Sequence, residues 1–236
     1  MKKTLTLFTC FFIFIQLLAQ NDVALIGFVL NADTNQPLPY ANIGFVNESV
    51  GTVSDENGAF NLQFNSKTLS PKSILQISSI GYKTIKMSAS DFFVTISKDN
   101  TFYLHPEPYI LGEVLIKNDL RKETSVGSLN LDIKTVGYWL NAEALGGEIA
   151  TKFSISKEKT KLHELNFYVS KNNSGHIKIR INVYDYKEGM PGKNLLSQNI
   201  YHTITVKSGI ETVNLEPYNI LVNSDIVISL ELLKVY

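Results

Sequence analysis

The sequence predicts an all-β protein, and three observations support this prediction. Nearly every apolar segment after residue 22 either alternates at period two or is a short β-branched run. Each segment is short and bounded by Gly, Pro, Asn, Asp or Ser, as the strands of sandwiches and small barrels are. Helical periodicity is nearly absent, and only residues 88–93 and 142–145 suggest short helical turns. The predicted strands cover residues 23–30, 41–46, 59–64, 74–80, 101–104, 113–116, 148–156, 161–169, 178–184, 202–206, 211–214 and 225–233.

The first 19 residues are typical of a secretory signal peptide. A short positive start is followed by an apolar stretch at residues 5–18 and by the small residue Ala19, an order that predicts cleavage near Ala19. An uncleaved membrane anchor is the alternative, but the apolar stretch is shorter than the roughly 20 residues that a spanning helix needs. The single cysteine, Cys10, lies inside this segment. A cleaved chain is therefore expected to have no disulfide and to be held by core burial alone.

The charge composition excludes some classes of partner. Lys and Arg together number 22, and so do Asp and Glu, which gives a formal net charge of zero. Proteins that bind nucleic acid carry a basic excess on one face, so no nucleic-acid partner is expected. No later segment has the long apolar run of a membrane-spanning helix, so no transmembrane helix is expected after cleavage.

A polar stretch at residues 118–130 is predicted to link two domains. Its first half is charged and its second half is rich in small residues, a composition that suits an inter-domain linker. An ordered long loop is the alternative interpretation. The predicted domains are therefore residues 20–117 and 131–236.

The first of these domains has specific turn residues. Residues 33–37 combine Asp, Asn and Pro, which favour a bent backbone. Asn57-Gly58 is a strong hairpin signal, because both residue types tolerate positive φ. Gly81, between Ile80 and Tyr82, indicates a bulge or a close backbone approach at the end of a strand.

These turn blocks, in this order and spacing, resemble the carboxypeptidase-like regulatory domain found in exported proteins of Bacteroidota. The resemblance covers about residues 24–116 and implies a seven-stranded sandwich of the transthyretin-like kind. It does not imply peptidase activity, since the family is named for a module attached to a peptidase. The blocks that carry the resemblance are Gly27-Phe28-Val29, residues 37–43, residues 51–60 and Ile80-Gly81-Tyr82.

In that family the domain often precedes a TonB-dependent outer-membrane receptor. Residues 111–116, Leu-Gly-Glu-Val-Leu-Ile, look similar to the short segment that follows the domain in such receptors. The remaining chain is too short for a plug and a large barrel. A final strand leaving the sandwich is the preferred interpretation of residues 111–116.

The second domain is predicted to be a jelly-roll-like β-sandwich. Residues 177–183 alternate apolar and polar side chains, which predicts a half-buried strand, and a polar turn at 171–175 precedes it. Residues 189–192, Gly-Met-Pro-Gly, predict a tight turn after it. This half loosely resembles β domains appended to regulatory-like modules in Bacteroidota surface proteins.

No sequence motif for catalysis is present. None of the four histidines lies in a His-Glu-x-x-His motif, and there is no Gly-x-Ser-x-Gly elbow or glycine-rich phosphate loop. The expectation is therefore a protein that is not an enzyme and has no catalytic residues, no metal and no cofactor.

Aromatic residues of the second half are the remaining candidates for a binding site. Trp139, Tyr168 and Tyr186 stand beside apolar neighbours at positions that could face outward, and exposed Tyr and Trp serve as sugar-stacking or protein-binding surfaces. Packing within a sandwich core or at its rim is the alternative. We predict these three as ligand-binding residues.

Together these observations predict a non-enzymatic exported protein of the periplasm, outer membrane or cell surface. It is expected to bind or present a glycan or a protein partner through the second domain, with the first domain as a spacer or docking module. Two alternatives stay open: an accessory component of a TonB-dependent uptake system, and a glycan hydrolase with an unrecognised site.

Overall fold

The structure is a computed structural model that describes residues 22–65, 67–107, 123–127, 136–140, 144–155 and 159–236. The predicted signal peptide, the predicted strand at 113–116 and most of the predicted linker lie outside these residues. The all-β prediction is confirmed, since strands predominate throughout and the described part has one α-helix. In residues 22–107, the N-terminal unit, the elements are β1 (Asp22–Asn31), β2 (Asn42–Phe45), β3 (Gly51–Val53), β4 (Ala59–Asn65), β5 (Ile74–Ser78), β6 (Ile85–Ser88), α1 (Ala89–Lys98) and β7 (Thr101–Leu104). In residues 144–236, the second unit, they are β8 (Glu148–Phe153), β9 (Thr160–Lys161), β10 (Glu164–Val169), β11 (Ile177–Lys187), β12 (Met190–Asn194), β13 (Ile200–Ile204), β14 (Gly209–Asn214), a 3-10 turn (Glu216–Tyr218), β15 (Leu221–Val222) and β16 (Ile226–Val235).

The N-terminal unit is a sandwich of two sheets with the orders β4-β1-β7 and β3-β2-β5-β6. β1 runs antiparallel to β4 and parallel to β7. Alternate side chains such as Leu62 on β4 and Ile77 on β5 are fully buried in one shared core. This burial follows from the period-two pattern, which directs every second side chain of a strand to the same face.

The turn after β3 corrects the predicted hairpin at Asn57-Gly58. β3 and β4 belong to different sheets, so the turn carries the chain from one sheet to the other. The carboxylate of Asp55 accepts hydrogen bonds from the backbone N–H groups of Asn57 (2.8 Å) and Ala59 (2.9 Å). Gly58 has φ of +74°, and an added Cβ would lie 2.5 Å from the carbonyl oxygen of Val29. The sequence thus predicted the turn residues correctly, but it did not predict that the two strands they connect lie in different sheets.

Helix α1 is longer than the short turn predicted at residues 88–93. The hydroxyl oxygen of Ser88 accepts a hydrogen bond from the N–H of Asp91 (3.1 Å), which caps the first turn. Phe92 is fully buried in the core of the sandwich, where its ring stacks on Phe102. The residues that follow Phe92 favour strands by propensity. Burial of Phe92 in the core therefore stabilises the helix more than this strand propensity opposes it.

The second unit is built around the long strands β11 and β16. They pair antiparallel at the centre of a sheet ordered β12-β11-β16-β8, with β13 beside the first half of β11. Two-stranded pairs, β10-β14 and β15-β9, pack against this sheet through a second core that includes Leu165, Ile181 and Ile228. The turn predicted at 189–192 lies slightly earlier, at Glu188-Gly189, where both residues have positive φ, as a two-residue hairpin requires.

Within the described ranges, no helix has the length and apolar character needed to cross a membrane.

Candidate functional site

The candidate site is the seam where the N-terminal unit meets the outer face of the β11-β16 sheet. Its centre is Arg180, on β11. Ile181 packs in the second core and Ile179 is fully buried, so alternation along the strand places Arg180 on the opposite face. The seam consists of Tyr40, Asn42, Glu56, Lys178, Arg180, Tyr201, Glu231, Lys234 and Tyr236.

Arg180 and Glu231 form a buried ion pair. They are directly opposed in the pairing of β11 with β16. The guanidinium donates to both carboxylate oxygens, through Nε at 2.9 Å and through Nη2 at 2.7 Å. The side chains are only 3% and 0% exposed, and Asn182 donates a further hydrogen bond of 2.8 Å to the carboxylate. Such a bidentate, hydrogen-bonded pair is the form in which charges can be buried.

Burial sets the electrostatics of this pair. Removal from water raises the pKa of Glu231, and the guanidinium of Arg180 opposes that rise. An arginine side chain does not lose its proton in proteins, so Arg180 supplies a permanent positive charge at the centre of the seam.

The same guanidinium reaches the N-terminal unit. Nη1 of Arg180 donates to the backbone oxygen of Tyr40 at 2.7 Å, and Nη2 donates to Oδ1 of Asn42. Beside these bonds, Tyr40, Val53 and Leu233 share a small apolar cluster with Leu145. One buried cation therefore ties the two units together, and apolar contact flanks it.

The rim of the seam is a network of lysine, tyrosine and glutamate. The Tyr40 hydroxyl donates to Oε1 of Glu56 (2.8 Å) and accepts from Nζ of Lys178 (3.0 Å). Nζ of Lys234 lies 3.2 Å from Oε2 of Glu56, and Nζ of Lys178 lies 3.6 Å from Oε1. The Tyr40 hydrogen bond and the Lys234 ammonium lower the pKa of Glu56. Burial, and then the hydrogen bond to Glu56, raise the pKa of Tyr40.

Aromatic rings position the two lysines. Nζ of Lys178 lies 4.7 Å from the ring centroid of Tyr40 and 5.6 Å from that of Tyr201. Nζ of Lys234 lies 4.5 Å from the ring centroid of Tyr236. These distances are within the range of cation–π attraction. The seam can therefore present positively charged donors beside flat apolar surfaces.

A second polar cluster lies on the same sheet face as Arg180. Glu148 on β8 is opposite Glu231 on β16. Its carboxylate accepts hydrogen bonds from the hydroxyls of Tyr184 (2.9 and 3.1 Å) and Ser229. Burial raises the pKa of the Tyr184 hydroxyl, and the charge of Glu148 adds to that rise. The hydroxyl of Tyr184 is thereby kept protonated as a donor to Glu148.

The three predicted site residues do not lie in the seam. Trp139 is half-buried, and its indole N–H donates to the backbone oxygen of Gly147 at 2.9 Å. Tyr186 is half-buried near the end of β11, with Nζ of Lys152 at 4.2 Å from its ring centroid. Tyr168 on β10 is 41% exposed, and its hydroxyl lies 3.2 Å from that of Ser208.

The structure does not bring Tyr168 and Tyr186 together. Phe167 packs on the second core, so Tyr168, its neighbour on β10, faces outward on the β10-β14 layer. Val183 is buried in the same core, and alternation places Tyr186 on the outer face of the β11 layer. The core thus separates the two tyrosines, and their role in binding stays a prediction.

Sequence reasoning missed the residues of the seam, although one signal was available. Glu231 is the single charge in residues 226–233, where Ser229 is the one other polar residue. A charge in a buried strand needs a partner, and Arg180 stands in the predicted half-buried strand at 178–184. Nothing in the sequence indicated that Tyr40, 140 residues away from Arg180, would complete the site.

Among the described residues, no three His, Cys, Asp or Glu side chains are grouped so that they could hold a metal ion. No curated protein matches the chain. A family model does match residues 25–116, and its description is CarboxypepD_reg-like domain. The match covers the sandwich of the N-terminal unit and ends before the second unit. Residues 25–116 of this chain are therefore a CarboxypepD_reg-like domain.

Proposed function

We propose that this chain is a non-enzymatic exported protein of the cell envelope or surface, which binds a glycan or a protein partner through its second unit. The CarboxypepD_reg-like domain is the spacer or docking module in this proposal. The domain belongs to a family of non-catalytic modules, which is consistent with a role in positioning the second unit.

The observation that carries the proposal is the buried attachment of one unit to the other. Arg180 donates to Glu231 and Asn199 in its own unit and to Tyr40 and Asn42 across the seam. Separating the units would break the bonds to Tyr40 and Asn42 and would expose the Arg180–Glu231 pair to water. A docked N-terminal unit holds the second unit in a fixed orientation, which is what a spacer must do.

The second unit offers exposed aromatic and polar side chains to a partner. Tyr168 and Ile210 are directly opposed on the outer face of the β10-β14 layer, and they are 41% and 54% exposed. On the other layer, Tyr186 lies beside Lys152. Tyrosines with an apolar ring and a polar tip are enriched in binding surfaces.

Binding to a glycan array tests the proposal. We expect binding by the intact chain and weaker binding by Trp139→Ala, Tyr168→Ala or Tyr186→Ala. Tyr103→Ala is the matched control, because Tyr103 is 43% exposed but lies on β7 of the N-terminal unit. A chain that binds no glycan at millimolar concentration and recovers no partner from native envelopes would contradict the proposal.

A further inference from the structure

We propose that the rim of the seam binds the anionic group of an acidic glycan, with Lys178 and Lys234 as its ligands. This inference rests on the proposed function, because it assumes a glycan ligand, but it places the anionic group of that glycan at the seam and not at Trp139, Tyr168 or Tyr186. Neither lysine is among the residues predicted from the sequence.

The charged groups of the rim favour an anionic ligand. Two ammonium groups converge on the single carboxylate of Glu56, at 3.6 and 3.2 Å. Beneath them Arg180 and Glu231 neutralise each other. In the part of the chain that the structure describes, neither lysine forms an ion pair with a second carboxylate. The two ammonium groups of the rim therefore share one side-chain carboxylate.

Lys178 and Lys234 have hydrogen-bonding capacity left for a ligand. An ammonium group has three N–H donors. Lys178 makes a hydrogen bond to the hydroxyl of Tyr40, and Lys234 makes one to Glu56. Both groups are also held over tyrosine rings. Side chains that are already positioned lose less conformational entropy when they bind a ligand.

Exposed tyrosine rings lie beside the two lysines. Tyr201 is 38% exposed and Tyr236 is 57% exposed. Their rings are rigid, amphipathic surfaces on which the apolar face of a sugar ring can lie. The site lies where the two units meet, a preferred location for ligand sites. Aromatic faces next to two ammonium groups favour a sugar that carries a carboxylate or a sulfate.

Calorimetric titration of the full chain at low salt tests the inference with three probes. The probes are trigalacturonate, a sulfated galactose trisaccharide and uncharged galactotriose. We expect at least one acidic probe to bind about tenfold tighter than the uncharged one, since one charge-assisted hydrogen bond accounts for such a difference. Comparison of the two acidic probes distinguishes carboxylate from sulfate as the preferred group.

Three variants locate the site. Lys178→Met and Lys234→Met are each expected to weaken acidic binding about threefold to tenfold, as loss of one charged contact does. Glu56→Gln is expected to tighten it, because the variant removes the internal competitor for both lysines. Lys187→Met is the control, since Lys187 is 73% exposed and pairs with Asp185 away from the seam. Melting temperatures of all variants monitor folding.

Each outcome bears on the inference. Equal binding of acidic and uncharged probes would overturn the inference and leave glycan binding intact. Acidic binding that neither lysine variant weakens and Glu56→Gln does not tighten would place the site elsewhere and also overturn it. Failure of all three probes would overturn the inference, and the glycan array would then decide whether the proposed function fails with it.

Discussion

Replacement of Arg180 by alanine is the perturbation with the largest predicted effect. The change leaves the carboxylate of Glu231 buried, at 0% exposure, with Asn182 as its remaining hydrogen-bond donor outside the backbone. It also removes the donor that reaches the backbone oxygen of Tyr40 across the seam. Arg180→Ala should therefore destabilise the second unit and loosen its contact with the N-terminal unit.

The magnitude follows from the burial of the pair. Removing one partner of a buried ion pair costs about 3–5 kcal/mol, because the other charge is left uncompensated. For a chain of this size that corresponds to a melting temperature lower by about 6–20 °C. Lys152→Ala, which removes a 2.8 Å pair with Asp225 at a partly exposed site, should cost no more than about 1 kcal/mol.

Urea denaturation followed by tryptophan fluorescence measures the effect, since Trp139 is the single tryptophan and contacts the second unit at Gly147. The double variant Arg180→Met/Glu231→Leu should recover most of the lost stability, because it removes both charges and fills the space with apolar atoms. A single variant that costs no more than Lys152→Ala, or a double variant less stable than the single, would refute the reasoning.

Three further predictions concern the core, a turn and the rim. Phe92→Ala, at a fully buried ring, should cost about 3–5 kcal/mol in urea denaturation, whereas Val94→Ala at a 54% exposed position should change stability by about 0.5 kcal/mol or less. Gly58→Ala should lower the stability measured by calorimetry more than Gly81→Ala does. Both glycines have positive φ, but an added Cβ meets a backbone oxygen only at Gly58. Equal losses of stability in the two variants would contradict this steric reason. The pKa of Glu56 is lowered from its ordinary value of 4.5. Ionised Glu56 therefore stabilises the fold above pH 4.5, and this stabilisation is lost as the pH falls through the lowered pKa of the folded chain. Wild type should thus be more stable than Glu56→Gln at neutral pH, and the two should converge in acid; a difference that persists in acid would count against this assignment.

Period-two alternation was sufficient to place most of the strands. Residues 101–104 were predicted as a strand and form β7 with the same bounds. The short strands β3, β6, β12 and β15 were missed; β12, for example, contains Pro191 and Gly192, which predicted a turn. The length of helix α1 was underestimated, since residues 92–96 are β-formers by propensity and burial of Phe92 stabilises the helix.

The seam could not be predicted for a different reason. Arg180 and Glu231 are 51 residues apart and meet only because β11 pairs with β16 in one register. A shift of one residue would turn Arg180 into the core and away from Tyr40. Sequence patterns give the faces of a strand but not the register between strands, so the partners of a buried charge stay hidden until the pairing is known.

The central claim is that the two units are held as one body through Arg180. Nuclear magnetic resonance relaxation of backbone amides measures it most directly, because docked units tumble with one correlation time and separate units with two. We expect a single correlation time for β1–β7 and β8–β16 in the wild-type chain, and different times in Arg180→Ala under conditions where both units stay folded. Different correlation times for the two units in the wild-type chain would contradict the claim.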